Sequence, residues 1–165
     1  MKTKNAGIYA TAYPKVQPAV ERSITVRSMV LEDIPELAEL YRQFINQSSN
    51  VPEMTNVLKR LLTREDYIFL SAIEETKLIG SVQGIVCEQL YGIARPFLVV
   101  QNFIVDQDHR RKGVARLLLA ELENRAIEKG CYHCDLITYA NREEACSFYR
   151  ASGFTADVGF RKPLW

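Results

Sequence analysis

The chain's 165 residues, 47% of them hydrophobic and 25% charged, suffice for one domain with a single core and leave little room for a second. A formal net charge of +1 calls for neither nucleic acid nor an anionic membrane, so any basic patch has to be local. No apolar run approaches the length that spans a bilayer.

Residues 1–22 carry a weakly positive start, a short polar-interrupted apolar stretch, and then Pro14 and Pro18. This pattern is not that of a signal peptide. It reads as an extension that is mobile alone or packs on a neighbour, ahead of a domain over 23–165.

Ser23 to Arg27 alternates as a strand does, and Asp33 to Gln47 is predicted helical, with Ile34, Leu37, Leu40, Tyr41 and Phe44 on one face and Pro35 in the first turn. A second helix is expected over 52–63, presenting Met54, Val57, Leu58 and Leu61. Tyr67 to Ile73 and Leu78 to Cys87 form a predicted hairpin around Glu74-Glu75-Thr76-Lys77. Residues 97–105 are dense in β-branched and aromatic side chains and predict a buried strand. From Val114 the period changes, and Val114, Leu117, Leu118, Leu122 and Ala126 mark one face of a helix that Gly130 caps. A strand over Cys134 to Tyr139, a helix over 143–151 and a last strand from Phe154 complete the pattern.

The junction between the strand 97–105 and the helix from Val114 carries the strongest chemical signal. The first amides of a helix have no internal partner and sit at the positive end of its dipole, so phosphate oxygens bind there readily. Gly113 permits close backbone approach, and Arg110, Arg111 and Lys112 place three cations beside it. The segment lacks both GxxxxGK[ST] and GxGxxG, which argues against an NTP loop and a dinucleotide fold.

Cys87, Cys131, Cys134 and Cys146, with no secretory signal, fit reduced thiols in a cytoplasm. The spacing Cys131-Tyr-His-Cys134 suits a metal or redox site, yet a structural zinc needs two further ligands of comparable spacing. A helix end leading into a buried strand is the expectation there, with no metal. His109 and His133 are expected as a turn residue and a strand-edge residue.

Two blocks of sequence carry a family resemblance. Arg110-x-x-Gly113-x-Ala115, after a strand ending Val-Asp, resembles the acetyl-CoA pyrophosphate loop of the GNAT superfamily of N-acetyltransferases. The run from Asn141 to Phe154, with Ala145, Phe148-Tyr149 and Gly153-Phe154, resembles that family's later motif. It departs by one residue, because Asn141 reaches Ala145 in four steps where many members take three.

The resemblance implies a single α/β domain of the GNAT type, with four helices and a mixed sheet of about six to seven strands splayed at the cofactor cleft. It implies acetyl-CoA as co-substrate, its pyrophosphate on the amides of Arg111, Lys112, Gly113, Val114 and Ala115 with Arg110, Arg116 and Asn141 alongside. Its arm would pair with Phe103, Ile104 and Val105, and backbone donors near Ile104 and Val105 would polarise the thioester carbonyl for direct attack by a primary amine through a tetrahedral intermediate. Tyr149 is the implied general acid for the departing thiolate.

Where family members often carry a Glu, this chain has Gln101 and Asn102, amides that orient water and accept no proton at neutral pH. Gln101 is thus a candidate for water orientation, and Glu88 a candidate base. The acceptor, a small amine ahead of a protein amine, is to be read from the first helix, residues 47–52 and the segment 89–96. There Tyr91 and Arg95 either line a pocket or close a strand connection. A homodimer in the cytoplasm is the expected setting, and a catalytically silent acyl-CoA-binding module is the alternative.

Overall fold

The computed structural model describes residues 23–164, so the expected N-terminal extension lies outside the described residues. The chain runs β1 (Ile24–Ser28), α1 (Ile34–Ile45), α2 (Val51–Leu61), β2 (Tyr67–Glu74), β3 (Lys77–Cys87), β4 (Phe97–Val105), α3 (Val114–Glu128), β5 (Cys134–Leu136) and α4 (Glu143–Ala151). The strands form one sheet in the order β1-β2-β3-β4-β5. Neighbours are antiparallel up to β4, and β5 returns parallel to β4 after the α3 crossover.

Helices cover both faces of the sheet. Val114, Leu118, Leu122 and Ala126 of α3 pack on Leu70, Ile79, Val82 and Leu98. On the opposite face Ile34, Leu37 and Leu40 of α1 and Leu58 of α2 close over Met29, Leu78 and Ile104. Leu117, expected on the α3 core face, is 45% exposed, and Leu119 is buried in its place. At about 100° per residue, position 117 falls roughly 120° from the centre of the stripe set by positions 114, 118, 122 and 126, whereas 119 falls about 80° from that centre, just past the stripe's edge.

The corner between β1 and α1 is held by a buried charge. Asp33 accepts from Arg27 through both carboxylate oxygens at 2.7 Å, from the Ser71 hydroxyl at 2.8 Å and from the Val30 amide at 3.1 Å. Burial pushes its carboxyl upward, but the Arg27, Val30 and Ser71 hydrogen bonds outweigh that and hold it below the usual value.

Gly84 sets how closely α3 approaches β3. A Cβ there would stand 2.8 Å from Leu122 Cδ1 and 3.0 Å from Leu98 Cδ1, and both leucines are fully buried. Gly84→Val is therefore expected to lower stability by about 1–3 kcal/mol through overpacking. In a thermal melt this appears as a fall of roughly 2–12 °C; an unchanged midpoint would show that the α3 face yields freely.

Three expectations are corrected. The sheet has five strands where six to seven were expected. The strand predicted over Cys134 to Tyr139 ends at Leu136. None forms from Phe154 onward within the described residues. At both places local turns take backbone groups that a ladder would need: the Tyr139 carbonyl accepts from the Arg142 amide, and the Phe154 amide donates to the Tyr149 carbonyl. Phe154 packs its ring 5.7 Å from Tyr149, and Arg161 donates to the Tyr139 phenol at 2.6 Å.

Candidate active site

The β3–β4 register places Ser81 opposite Ile104 and Gln83 opposite Gln101, so Val82 alone spans Asn102 and Phe103. This is a β-bulge, and Asn102 takes the left-handed conformation it requires, with φ 49°. The Asn102 side-chain amide donates to Gln83 Oε1 at 2.9 Å, which ties the extra residue back to β3. Before the bulge Leu98 and Val100 face α3; after it Phe103 and Val105 pack toward that face and Ile104 turns toward α1.

β5 follows β4 only as far as the Val100–Leu136 pair. Among the described residues, the edge of β4 from Gln101 to Val105 on the β5 side has no strand beside it. Such an edge presents free N–H and C=O groups to an extended ligand. α4 stands next to this opening: the ring of Phe148 meets Phe103 edge-on at 5.9 Å, and the Tyr149 ring lies 6.4 Å from Phe103. Burial pushes the Tyr149 phenol above its ordinary value, so it is protonated at neutral pH.

β4 then runs into the turn over residues 110–113 that precedes α3. Arg110 Nε donates to the Val105 carbonyl at 3.3 Å, Arg111 adopts φ 60° and Gly113 φ 87°. The α3 ladder opens with the Leu117 amide donating to the Gly113 carbonyl at 3.1 Å, which leaves the amides before it outside the ladder. No acidic residue occupies the first turn of α3, and among the described residues Arg111, Lys112 and Arg116 form no ion pair. The arrangement suits an anion with several phosphate oxygens.

A polar knot that sequence reasoning missed fixes the base of this turn. Asp106, 3% exposed, accepts from Gln43 Nε2 at 3.0 Å, from the Asp108 amide at 3.0 Å and from His109 Nδ1 at 2.7 Å. Burial opposes its charge, but Gln43, His109, the Asp108 amide and Lys77 outweigh it and lower the carboxyl. His109 reaches Glu74 at 3.2 Å through its other nitrogen, so the expected turn residue also bolts the turn to the β2–β3 hairpin. Only Asp106 followed by a His at i+3 could have signalled this locally; Gln43 and Glu74 come from elsewhere in the chain.

The residues around Phe103, Tyr149 and the turn from Arg110 to Arg116 thus gather at one end of the sheet. Asn141 is exposed in the turn before α4, where Arg142 donates its amide to the Tyr139 carbonyl. Gln101 lies exposed on β4 one residue before the bulge. Glu88 stands apart: it follows Cys87, which pairs with Phe97, six residues and roughly 20 Å along the strand from Phe103. Tyr91 and Arg95 also lie at that far end. The Tyr91 phenol is 3.4 Å from that of Tyr132, and Arg95 donates to the Gly130 carbonyl at 3.3 Å, so both close the connection.

The cysteine pair is split between core and strand. Cys131 is buried and Cys134 opens β5, and burial raises both thiols, that of Cys134 to about 11. Neither is a ready thiolate at neutral pH. His133 stacks on Phe97 with ring centroids 5.1 Å apart.

A bulged strand splayed from its parallel neighbour, beside a helix that opens on an Arg-x-x-Gly-x-Ala turn, agrees with one family profile. The acetyltransferase (GNAT) family matches residues 33–154. The chain belongs to this family.

The fold is shared by solved structures of low identity. A putative acetyltransferase from Agrobacterium tumefaciens str. C58 aligns at 22% identity and TM-score 0.78, over 85% of this chain and 99% of that one. A glucosamine-6-phosphate N-acetyltransferase from Arabidopsis thaliana aligns at 18% and 0.77, over 86% and 99%. A transcriptional regulator from Bacillus halodurans C-125 aligns at 18% and 0.80, over 87% and 100%. No curated protein sequence matches the chain significantly. As a GNAT acetyltransferase the protein is an acyl-transfer enzyme, and among the described residues no helix is long and apolar enough to cross a membrane.

Proposed function

We propose that this GNAT acetyltransferase moves an acetyl group from acetyl-CoA to a primary amine, and that Tyr149 protonates the departing thiolate. One observation carries the reading: the unpartnered edge of β4, the Tyr149 phenol and the anion-binding turn meet at a single end of the sheet. Acetyl-CoA would supply the activated acyl group. The residues present fit it, because α3 opens on amides without an acidic neighbour and Gly113 has no side chain to obstruct the approach. The amides ahead of Leu117, with Arg111, Lys112 and Arg116, would hold the pyrophosphate. The β4 edge at Phe103, Ile104 and Val105 would hold the arm and orient the acyl carbonyl.

The side chains of Gln101 and Asn102 are neutral amides, so they orient water and the amine and take up no proton. The amine on this reading enters as its free base, the proton passing to solvent after attack. Four free cysteines favour a cytoplasmic setting, and exposed Leu90, Ile93, Phe160 and Leu164 favour a homodimer.

Melting the protein with and without saturating acetyl-CoA tests the donor site. A ligand at about a hundredfold its Kd stabilises by about 2.7 kcal/mol, which is a rise of roughly 5–10 °C for a chain of this length. A rise with acetyl-CoA and none with an equally charged nucleotide supports the reading. No rise at millimolar ligand removes the donor site, and a rise without thiol release from any amine leaves a binding module.

A further inference from the structure

Between α1, α2 and the sheet lies a cavity of about 170 Å³. Its walls are apolar: Met29, Leu37, Met54, Val57, Leu61 and Phe69. Its floor is the polar end of the bulge, where Ser81, Gln83 and Asn102 come together. The cavity therefore opens against the same residues that bend β4 away from β5.

We propose that this cavity receives the acceptor, and that the acceptor is a primary amine carried on a single uncharged apolar group such as one ring or a short alkyl chain. The proposal rests on the acyl-transfer reading above and adds the substrate class. Three features support it. The size suits one such group, since a cavity of about 150 Å³ lined by Leu, Ile and Phe holds benzene. Every lining side chain is uncharged, so a phosphate or a second ammonium placed there would lose its hydration without a partner charge. The floor offers neutral acceptors, the Ser81 hydroxyl and the Asn102 and Gln83 carbonyls, to the N–H groups of a free amine.

Asn102 also fixes the direction of delivery. It lines the cavity and precedes Phe103, the residue against which Tyr149 packs. An amine whose apolar part fills the cavity thus has its nitrogen at the bulge, beside the open edge of β4. Tyr41, at the wall on α1, has a phenol that burial pushes up to about 12, which keeps this side of the cavity neutral across the working pH range.

The test is thiol release from acetyl-CoA by the wild-type chain with phenethylamine, hexylamine, spermidine and glucosamine 6-phosphate. It is repeated with Val57→Phe, which fills the half-buried wall, and Val57→Ala, which widens it. The two apolar amines should exceed the other two in kcat/KM by at least about tenfold. Val57→Phe should raise the KM for phenethylamine by about tenfold with the KM for acetyl-CoA unchanged. Val57→Ala should move the preference toward longer alkylamines, a shift that a merely destabilised fold does not produce. Preference for spermidine or glucosamine 6-phosphate, or indifference to both Val57 changes, overturns the acceptor assignment and leaves acyl transfer standing. Should Val57→Phe fail to fold, the wild-type ranking and Val57→Ala decide the matter. Absence of acetyl-CoA binding overturns the donor reading itself, and this proposal with it.

Discussion

Tyr149→Phe is expected to lower kcat on the order of a hundredfold while leaving the Kd for acetyl-CoA unchanged. The substitution keeps the ring, and with it the packing on Phe103, Phe148 and Phe154 at centroid distances of 6.4, 5.4 and 5.7 Å. Only the hydroxyl is lost, so α4 should remain docked and the melting temperature should stay close to that of the wild type. A hundredfold slowing corresponds to about 2.7 kcal/mol of barrier, a plausible share for one proton delivered to a leaving thiolate. Burial that raises the phenol keeps it in the donating form at neutral pH, which a general acid requires. Steady-state thiol release alongside calorimetric titration of acetyl-CoA separates the two effects. Equal kcat values for mutant and wild type would take the acid role from Tyr149 and leave it as a packing residue of α4.

The second large effect is expected at Gly113. Gly113→Val should raise the Kd for acetyl-CoA on the order of a hundredfold, about 2.7 kcal/mol. A Cβ at this position would meet nothing within 4 Å, so crowding inside the protein is not the cause. The cause is φ 87°, a region that a β-branched residue avoids. Relaxing that angle turns the peptide planes that open α3 and takes their amides off the anion. Each charge-assisted hydrogen bond lost there is worth about 1.5–3 kcal/mol, so losing one or two accounts for the change. Because the surroundings are open, stability should fall by only about 1–2 kcal/mol, the cost of the left-handed conformation. Titration of acetyl-CoA and a thermal melt on the same sample measure both quantities. Undiminished affinity would place the phosphates elsewhere than at the α3 terminus.

Local signals were legible where they sufficed. The helix over 143–151 and the strand over 97–105 have the limits that periodicity and β-branching indicate, and α3 begins at Val114, directly after Gly113. Each rests on a pattern complete within a dozen residues. The strand expected from Phe154 formed no ladder within the described residues: the Phe154 amide donates to the Tyr149 carbonyl at the end of α4, and its ring packs on Tyr149. Leu117, by contrast, was misplaced on the core face although the helical period alone sets it well off the stripe, and it is 45% exposed while Leu119 is buried.

The candidate site divides along the same line. Arg-x-x-Gly-x-Ala and the Phe-Tyr pair could be read directly, and their order along the chain pointed to the family that the profile over residues 33–154 establishes. Nothing near Asp106 in sequence announces that Gln43, 63 residues away, donates to it. Nor does Glu74 announce its approach to His109, 35 residues distant. Glu88, Tyr91 and Arg95 stood close to β4 in sequence and lie at its far end in space.

What the sequence by itself determined is the kind and order of the elements through α4 and the residue types that make up the turn ahead of α3. Hydrophobic period, glycine and helix-terminal amides act over one or two turns of chain. The tertiary structure alone decided the bulge at Asn102, the point after Val100 at which the expected splay of β4 from β5 begins, and the apolar cavity that α1 and α2 close over Ser81 and Gln83. Each of these is a register or a volume shared between segments far apart in the chain. Such a quantity exists only once the competing ladders and side-chain volumes have been packed against one another.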